Sequence, residues 1–239
     1  MLNCLAHLPD NGPTELLFLL MHGHGQKPEA MQALAVALAG EYPQAAVLCL
    51  QAPQVAESQS GRQIASGFQY FSRFELNDSN RAERVGAALP AFIATVRSLQ
   101  QQFELPWERT ALAGFSQGGI IALEAVQREP QLAGRVLAFG ARHTRLPDHA
   151  AVDTTLHLLH GMADDVIAAG LVVESAKQLV LLGADVTADI LPDIGHELHP
   201  LLIAKAIEQL RTFLPRRLWR EAVSEAPLIA RPASSRELG

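Results

Sequence analysis

Short, unbroken apolar runs alternate with helix-patterned stretches along most of this 239-residue chain, and that alternation restricts its fold more than any other feature. Leu16–Met21, Ala45–Leu50, Arg135–Phe139 and Asp185–Leu191 read as strands, as do residues 109–113 and 155–160. An apolar run without polar alternation suits a strand covered on both faces. Between the strands, residues 30–39 read as a helix with Pro28 near its first turn and its close at Gly40. Residues 80–102 place Val85, Leu89, Phe92, Val96 and Leu99 three or four apart, with Pro90 as a point of bending. Residues 120–129, 171–182 and 199–213 complete the helices. Strand followed by helix, repeated, predicts an α/β fold: a mostly parallel sheet with helices on both faces.

A hydrophobic content of 49% is ample for one large core, so residues 1–214 are expected to form a single domain. Residues 215–239 are expected to be a partly disordered extension, since residues 224–239 are polar, aperiodic and carry Pro227 and Pro232. The net charge of -6 and the scattered lysines and arginines argue against a nucleic-acid partner. Cys4 and Cys49 have neither metal-ligand nor redox spacing, which favours a reducing compartment. No basic segment leads into an apolar secretory core, and no run approaches the roughly 20 apolar residues that span a bilayer. The expectation is a cytoplasmic protein without integral membrane association.

The stretch Ala111-Leu-Ala-Gly-Phe-Ser-Gln-Gly-Gly-Ile120 sets a serine in a glycine-flanked turn between a strand and a helix. So sharp a turn requires tiny residues two before and two after the serine, and Gly114 and Gly118 meet that demand. The helix starting near Gln117 would aim its free amides and positive dipole end at Ser116, where negative charge develops when an acyl carbonyl is attacked. Ser116 is therefore read as a nucleophile. A serine hydroxyl needs a base to take its proton and a third group to orient that base.

Where a nucleophile sits on such an elbow, an acid and then a histidine follow it in the chain, each after a strand. Asp164 and Asp165 lie just beyond residues 155–160, and His196 lies just beyond Asp185–Leu191. His196 is the expected base. Physics alone does not choose between Asp164 and Asp165, while Asp193, three residues from His196, reads as a turn former. His199 reads as a surface or capping residue; His157 is placed in or under the sheet, His143 and His149 in a connecting loop, and His7 without useful neighbours. The backbone amides of Gln117 and His24 are the expected oxyanion donors. Metal binding by His22 and His24 is the competing reading of the His-Gly-His-Gly loop, but no acidic or cysteine partner clusters nearby in sequence, so neither a metal nor a cofactor is expected.

Together, MHGHG at Met21, GFSQGG at Gly114, HGMADDV at His160 and DIGHE at Asp193 resemble the carboxylesterase and phospholipase group of α/β hydrolases, which includes acyl-protein thioesterases. The likeness spans about residues 15–214. GRQ at Gly61, QYFS at Gln69, RAERV at Arg81 and IALE at Ile121 make it most similar to bacterial esterases of the YpfH type. The resemblance implies an α/β-hydrolase fold and aligns the family's catalytic aspartate with Asp164. Asp165 stands where relatives typically carry proline, Tyr70 where they often carry tryptophan, and residues 64–68 look like a small insertion.

Only about fifteen residues separate the strand ending at Phe139 from the one starting at Thr155, too few for a helical cap. An open groove is expected, bordered by residues 142–146 and by an irregular, aromatic-rich loop at residues 52–79, with Phe68, Tyr70 and Phe71 as acyl-chain contacts. The leading reading is a cofactor-free serine esterase or thioesterase acting on short to medium small-molecule acyl esters or thioesters. A lactone hydrolase or peptidase of the same fold is the alternative enzyme. A non-catalytic binding protein is the alternative outside enzymes, and the open groove is compatible with a homodimer.

Overall fold

The computed structural model describes residues 4–58 and 60–215, so the expectation for the tail beyond Pro215 lies outside the described residues. The first half contains β1 (Cys4–His7), β2 (Leu16–Met21), α1 (Gln32–Glu41), β3 (Ala45–Leu50), β4 (Gln54–Glu57), β5 (Gln63–Gln69) and α2 (Arg81–Gln102). The second half contains β6 (Thr110–Phe115), α3 (Gln117–Arg128), β7 (Arg135–Phe139), β8 (Thr155–Gly161), α4 (Ala169–Leu181), β9 (Asp185–Leu191) and α5 (Pro200–Thr212).

Seven of the strands form one sheet in the order β1-β3-β2-β6-β7-β8-β9. β1 runs antiparallel to β3, and every other pair is parallel. Both faces of β2 are buried, as its unbroken apolar run requires: Leu17, Leu19 and Met21 enter the core shared with α2, α3 and α4, while Phe18 and Leu20 enter the core beneath α1 and α5. This is the α/β-hydrolase architecture, with no large cap between β7 and β8.

Three local readings are corrected. Residues 52–79 are not irregular throughout, because β4 and β5 pair there as an antiparallel hairpin with a register shift between Val55 and Glu57. The first helix does not close at Gly40; a short 3-10 turn at Pro28–Met31 precedes α1, which runs to Glu41. The next residue, Tyr42, caps the helix with its amide donating to the Leu38 carbonyl at 2.8 Å, and its ring packs against Phe18 at 5.5 Å between centroids. The edge strand β1 has no counterpart among the strands read from sequence, since it is short and its residues alternate between exposed and half-buried. α2 passes through Pro90 without breaking, and Arg128 Nη1 donates at 3.3 Å to the Gly86 carbonyl, the acceptor that Pro90 cannot serve.

Because β3 lies on one side of β2 and β6 on the other, the chain changes direction across the sheet between β2 and β6. Met21, the last residue of β2, is in register with Gly114 of β6. The carboxyl ends of these two strands therefore open onto one crevice, the usual ligand position in an open α/β sheet.

Candidate active site

Ser116 stands between β6 and α3 at φ 52°, ψ −115°, a conformation that few non-glycine residues adopt. Its amide donates to the Phe139 carbonyl at 2.9 Å, which ties the elbow to β7. A Cβ on Gly114 would overlap the Gly118 backbone, and one on Gly118 would overlap the Met21 carbonyl. The glycines thus let α3 start close against the ends of β6 and β2. Gln117 is the first residue of α3, where an amide has no acceptor within the helix, and it lines the same cavity as Ser116 and His24.

His196, in the loop after β9, reaches Ser116 Oγ through Nε2 at 2.9 Å. Its Nδ1 lies 2.7 Å from Asp164 Oδ2. A carboxylate can only accept, so Nδ1 carries the proton and Nε2 accepts from the Ser116 hydroxyl. Phe115 packs on the imidazole at 4.9 Å between ring centroids and restricts its rotation.

Asp164 is buried, and burial alone would raise its pKa. The Ile167 and Val166 amides, donating to Oδ1 at 2.8 and 2.9 Å, together with His196 on Oδ2, more than offset this and hold the carboxyl below its ordinary value. Asp165 is exposed. His160, at the end of β8, is fully buried beside the carboxylate: its Nε2 donates to the Ile167 carbonyl at 2.8 Å and lies 3.2 Å from Asp164 Oδ2. Desolvation lowers the His160 pKa, which keeps the ring neutral and the Asp164 charge available to His196. Sequence reasoning gave His160 no role, although its place one helical-turn distance before Asp164 was visible.

The His22-Gly23-His24-Gly25 loop is built from protein contacts. His22 donates from Nδ1 to the Gly23 carbonyl at 2.7 Å and accepts at Nε2 from the Ala52 amide at 3.1 Å. The His24 ring donates from Nε2 to the Glu57 carbonyl at 2.9 Å. Gly25 and Gln26 exchange backbone hydrogen bonds with Phe68, which attaches the β4–β5 hairpin to this loop. The Gln117 side chain secures the far end of the hairpin, accepting from the Tyr70 amide at 2.8 Å and donating to the Phe71 carbonyl at 2.6 Å. That use of Gln117 was not read from sequence, because it depends on contacts nearly 50 positions away.

The cavity beside Ser116 measures about 280 Å³. Phe71 lines it, but Phe68 and Tyr70 do not, which corrects their placement as acyl-chain contacts. Phe68 is tied into the hairpin and packs against the core. Tyr70 is buried, donates to the Leu50 carbonyl at 3.3 Å and meets Phe92 edge-on. Among the other histidines, His199 caps α5 by accepting from the Leu201 amide, and His157 is buried between Arg135 and Thr187. His143 contacts Glu124, His149 contacts Asp148, and His7 contacts Gln32. Asp193 is exposed at φ 56°, a turn position. Among the described residues, no helix is long and apolar enough to cross a membrane.

Residues 5–214 match the family described as Phospholipase/Carboxylesterase. The chain is 39% identical over 216 residues to Esterase YpfH of Escherichia coli strain K12, covering 90% of each chain. Among solved structures it is similar to esterase PE8, with a TM-score of 0.78 at 24% identity over 89% of this chain and 99% of that one. It is also similar to a carboxylesterase from Mesorhizobium loti, with a TM-score of 0.69 at 19% identity over 83% and 90% of the two chains. At these identities the two structures bear on the fold alone.

Proposed function

The chain belongs to the phospholipase/carboxylesterase family of α/β hydrolases and is a hydrolase of carboxylic esters; from that premise we propose that Ser116, His196 and Asp164 form its catalytic triad and hydrolyse short to medium acyl esters or thioesters through an acyl-enzyme. The observation that carries the reading is the unbroken line from Ser116 Oγ through His196 to Asp164, at 2.9 and 2.7 Å.

His196 Nε2 takes the Ser116 proton as Oγ attacks the acyl carbonyl. Asp164, charged and held by two amides, stabilises the imidazolium and fixes its tautomer. The oxyanion accepts from the Gln117 and His24 amides at the positive end of α3. The intermediate collapses, the imidazolium protonates the departing alcohol or thiol, and water repeats the sequence to free the acid. Phe71 and the neighbouring Leu76, Ile120 and Leu171 supply an apolar wall for the acyl chain.

The test is hydrolysis of p-nitrophenyl esters with two to sixteen acyl carbons by the native chain and by Ser116→Ala. The substitution is expected to lower kcat/KM by ~10³-fold or more with little change in melting temperature. Equal rates in the two proteins would remove Ser116 from the mechanism.

A further inference from the structure

The wall of the Ser116 cavity is cationic. Arg73, Arg81 and Arg142 line it, and no carboxylate is among its described lining residues. They come from three separate places: Arg73 follows the hairpin, Arg81 begins α2 and Arg142 follows β7. One Asp78 oxygen accepts from Arg142 Nη2 at 2.9 Å and from Arg81 Nη2 at 3.3 Å. The Asp78 side chain is 85% exposed, whereas those of Arg81 and Arg142 are 21% and 17% exposed. The one carboxylate shared by two guanidiniums therefore sits on their solvent side. The Glu57 carboxylate lies nearby but is engaged by Ser72 and Gln69. Among the described residues no carboxylate pairs with Arg73.

Arg81 Nε is buried without a hydrogen-bond partner, a donor that ordinarily finds an acceptor. Burial and, after it, the charge of Arg142 lower the Arg81 pKa, so the guanidiniums crowd one another at a cost. Elsewhere the chain satisfies such a group: Arg97 donates to Glu129, Gln100 and two carbonyls. The cavity thus joins apolar side chains with three guanidiniums, one of which has a donor without a partner.

Resting on the esterase reading above, we propose that this cavity selects esters carrying an oxyanion, a carboxylate or a phosphate, a few bonds from the scissile carbonyl. Arginine forks recognise such groups through paired N–H donors, and a partly dry cavity strengthens the contact. The apolar residues that line the same cavity, Phe71, Leu76, Ile120 and Leu171, accommodate the short spacer.

The experiment compares matched substrates. On the acyl side, p-nitrophenyl hydrogen glutarate and adipate are set against p-nitrophenyl pentanoate and hexanoate. On the alcohol side, 4-acetoxybenzoate and 4-acetoxyphenyl phosphate are set against 4-acetoxybenzamide. The native chain is expected to favour at least one anionic member over its neutral match by ~10-fold or more in kcat/KM, chiefly through KM. Arg142→Gln and Arg73→Gln are each expected to reduce that ratio by ~10-fold, and raised salt to weaken it. Arg73 takes no part in an ion pair among the described residues, so its variant reports on charge even where Arg142→Gln perturbs folding. Neutral esters hydrolysed with no anionic preference on any arm, or a preference unmoved by both substitutions, would overturn the proposal and leave the esterase reading intact. Hydrolysis of no ester at all would count against the esterase reading instead. The cavity is then judged by melting of Ser116→Ala with glutarate or phenyl phosphate: a rise abolished by Arg142→Gln supports anion selection, and no rise overturns it.

Discussion

The elbow at residues 114–119 and the segment at residues 70–76 that leaves the β4–β5 hairpin border the same cavity, yet the elbow and the hairpin with its flanks are held by opposite means. The elbow is fixed by contact: Gly114 and Gly118 admit a backbone approach that no other residue allows, and the strained Ser116 follows from it. The hairpin is suspended on hydrogen bonds to distant groups, from Phe68 to Gly25 and Gln26, from Ala52 to His22, and from Tyr70 and Phe71 to Gln117. Steric fixation is brittle and local, whereas polar fixation is graded and responds to solution conditions. The part that carries the proposed nucleophile is the rigid one, and the part that leads into the Phe71 wall of the cavity is adjustable.

The harshest test of this contrast is Gly118→Ala. Its methyl would meet the backbone of β2, which cannot yield without moving the sheet, so a loss of about 3 kcal/mol in stability and of ~10²-fold or more in kcat is expected. Urea unfolding and steady-state kinetics measure both. A mild effect on both would mean the elbow is not fixed by contact.

Gln117→Leu tests the other side. It keeps the backbone amide but leaves the Tyr70 amide and Phe71 carbonyl without partners, at a cost of about 2 kcal/mol. KM is expected to rise ~10-fold while kcat changes less, because the wall shifts and the elbow stays. A fall confined to kcat would show instead that the elbow itself had moved.

The same division explains what could be read from sequence. Ser116, Asp164 and His196 were legible because each follows a buried strand whose apolar run announces itself, and β3, β7 and β9 begin and end where the pattern predicts. The resemblance singled out Asp164, and its two backbone donors from Val166 and Ile167 give the physical reason. β4 and β5 were read as irregular because their pairing is partly exposed, bulged and polar, so no alternation marks it. Tyr70 was placed on the cavity for its chemistry, but its burial against Leu50 and Phe92 is a tertiary choice that no local pattern encodes. The arginine wall was equally out of reach, since Arg73, Arg81 and Arg142 meet only in the fold.

The smallest effect concerns pH. Desolvation lowers the His22 pKa below its ordinary 6.5, and the ring must be neutral to accept from the Ala52 amide. Above pH 6.5 neither the folded nor the unfolded chain protonates it, and the bond is intact. Below that value the locally opened loop, in which His22 is hydrated, binds the proton first, so the loop's stability against that opening falls with pH until the closed ring titrates too. Hydrogen exchange corrected for intrinsic rates is expected to show Ala52 and Phe68 losing protection by up to about tenfold per pH unit below 6.5, with a smaller loss in β6 and α3, which share only the global effect of the buried His157 and His160. Equal loss in both regions would erase the distinction drawn here.

The strand order has a further consequence for synthesis. β1, β3 and β2 are all made within the first 50 residues, so one side of the sheet can pair early. β2 waits for β6 on its other side, and Ser116 then waits another 80 positions for His196. At 5–20 residues per second that interval is roughly 4 to 16 s. During it a nascent chain carries Ser116 without His196, so with the proposed triad the growing polypeptide acquires ester-cleaving chemistry only when its sheet is nearly finished.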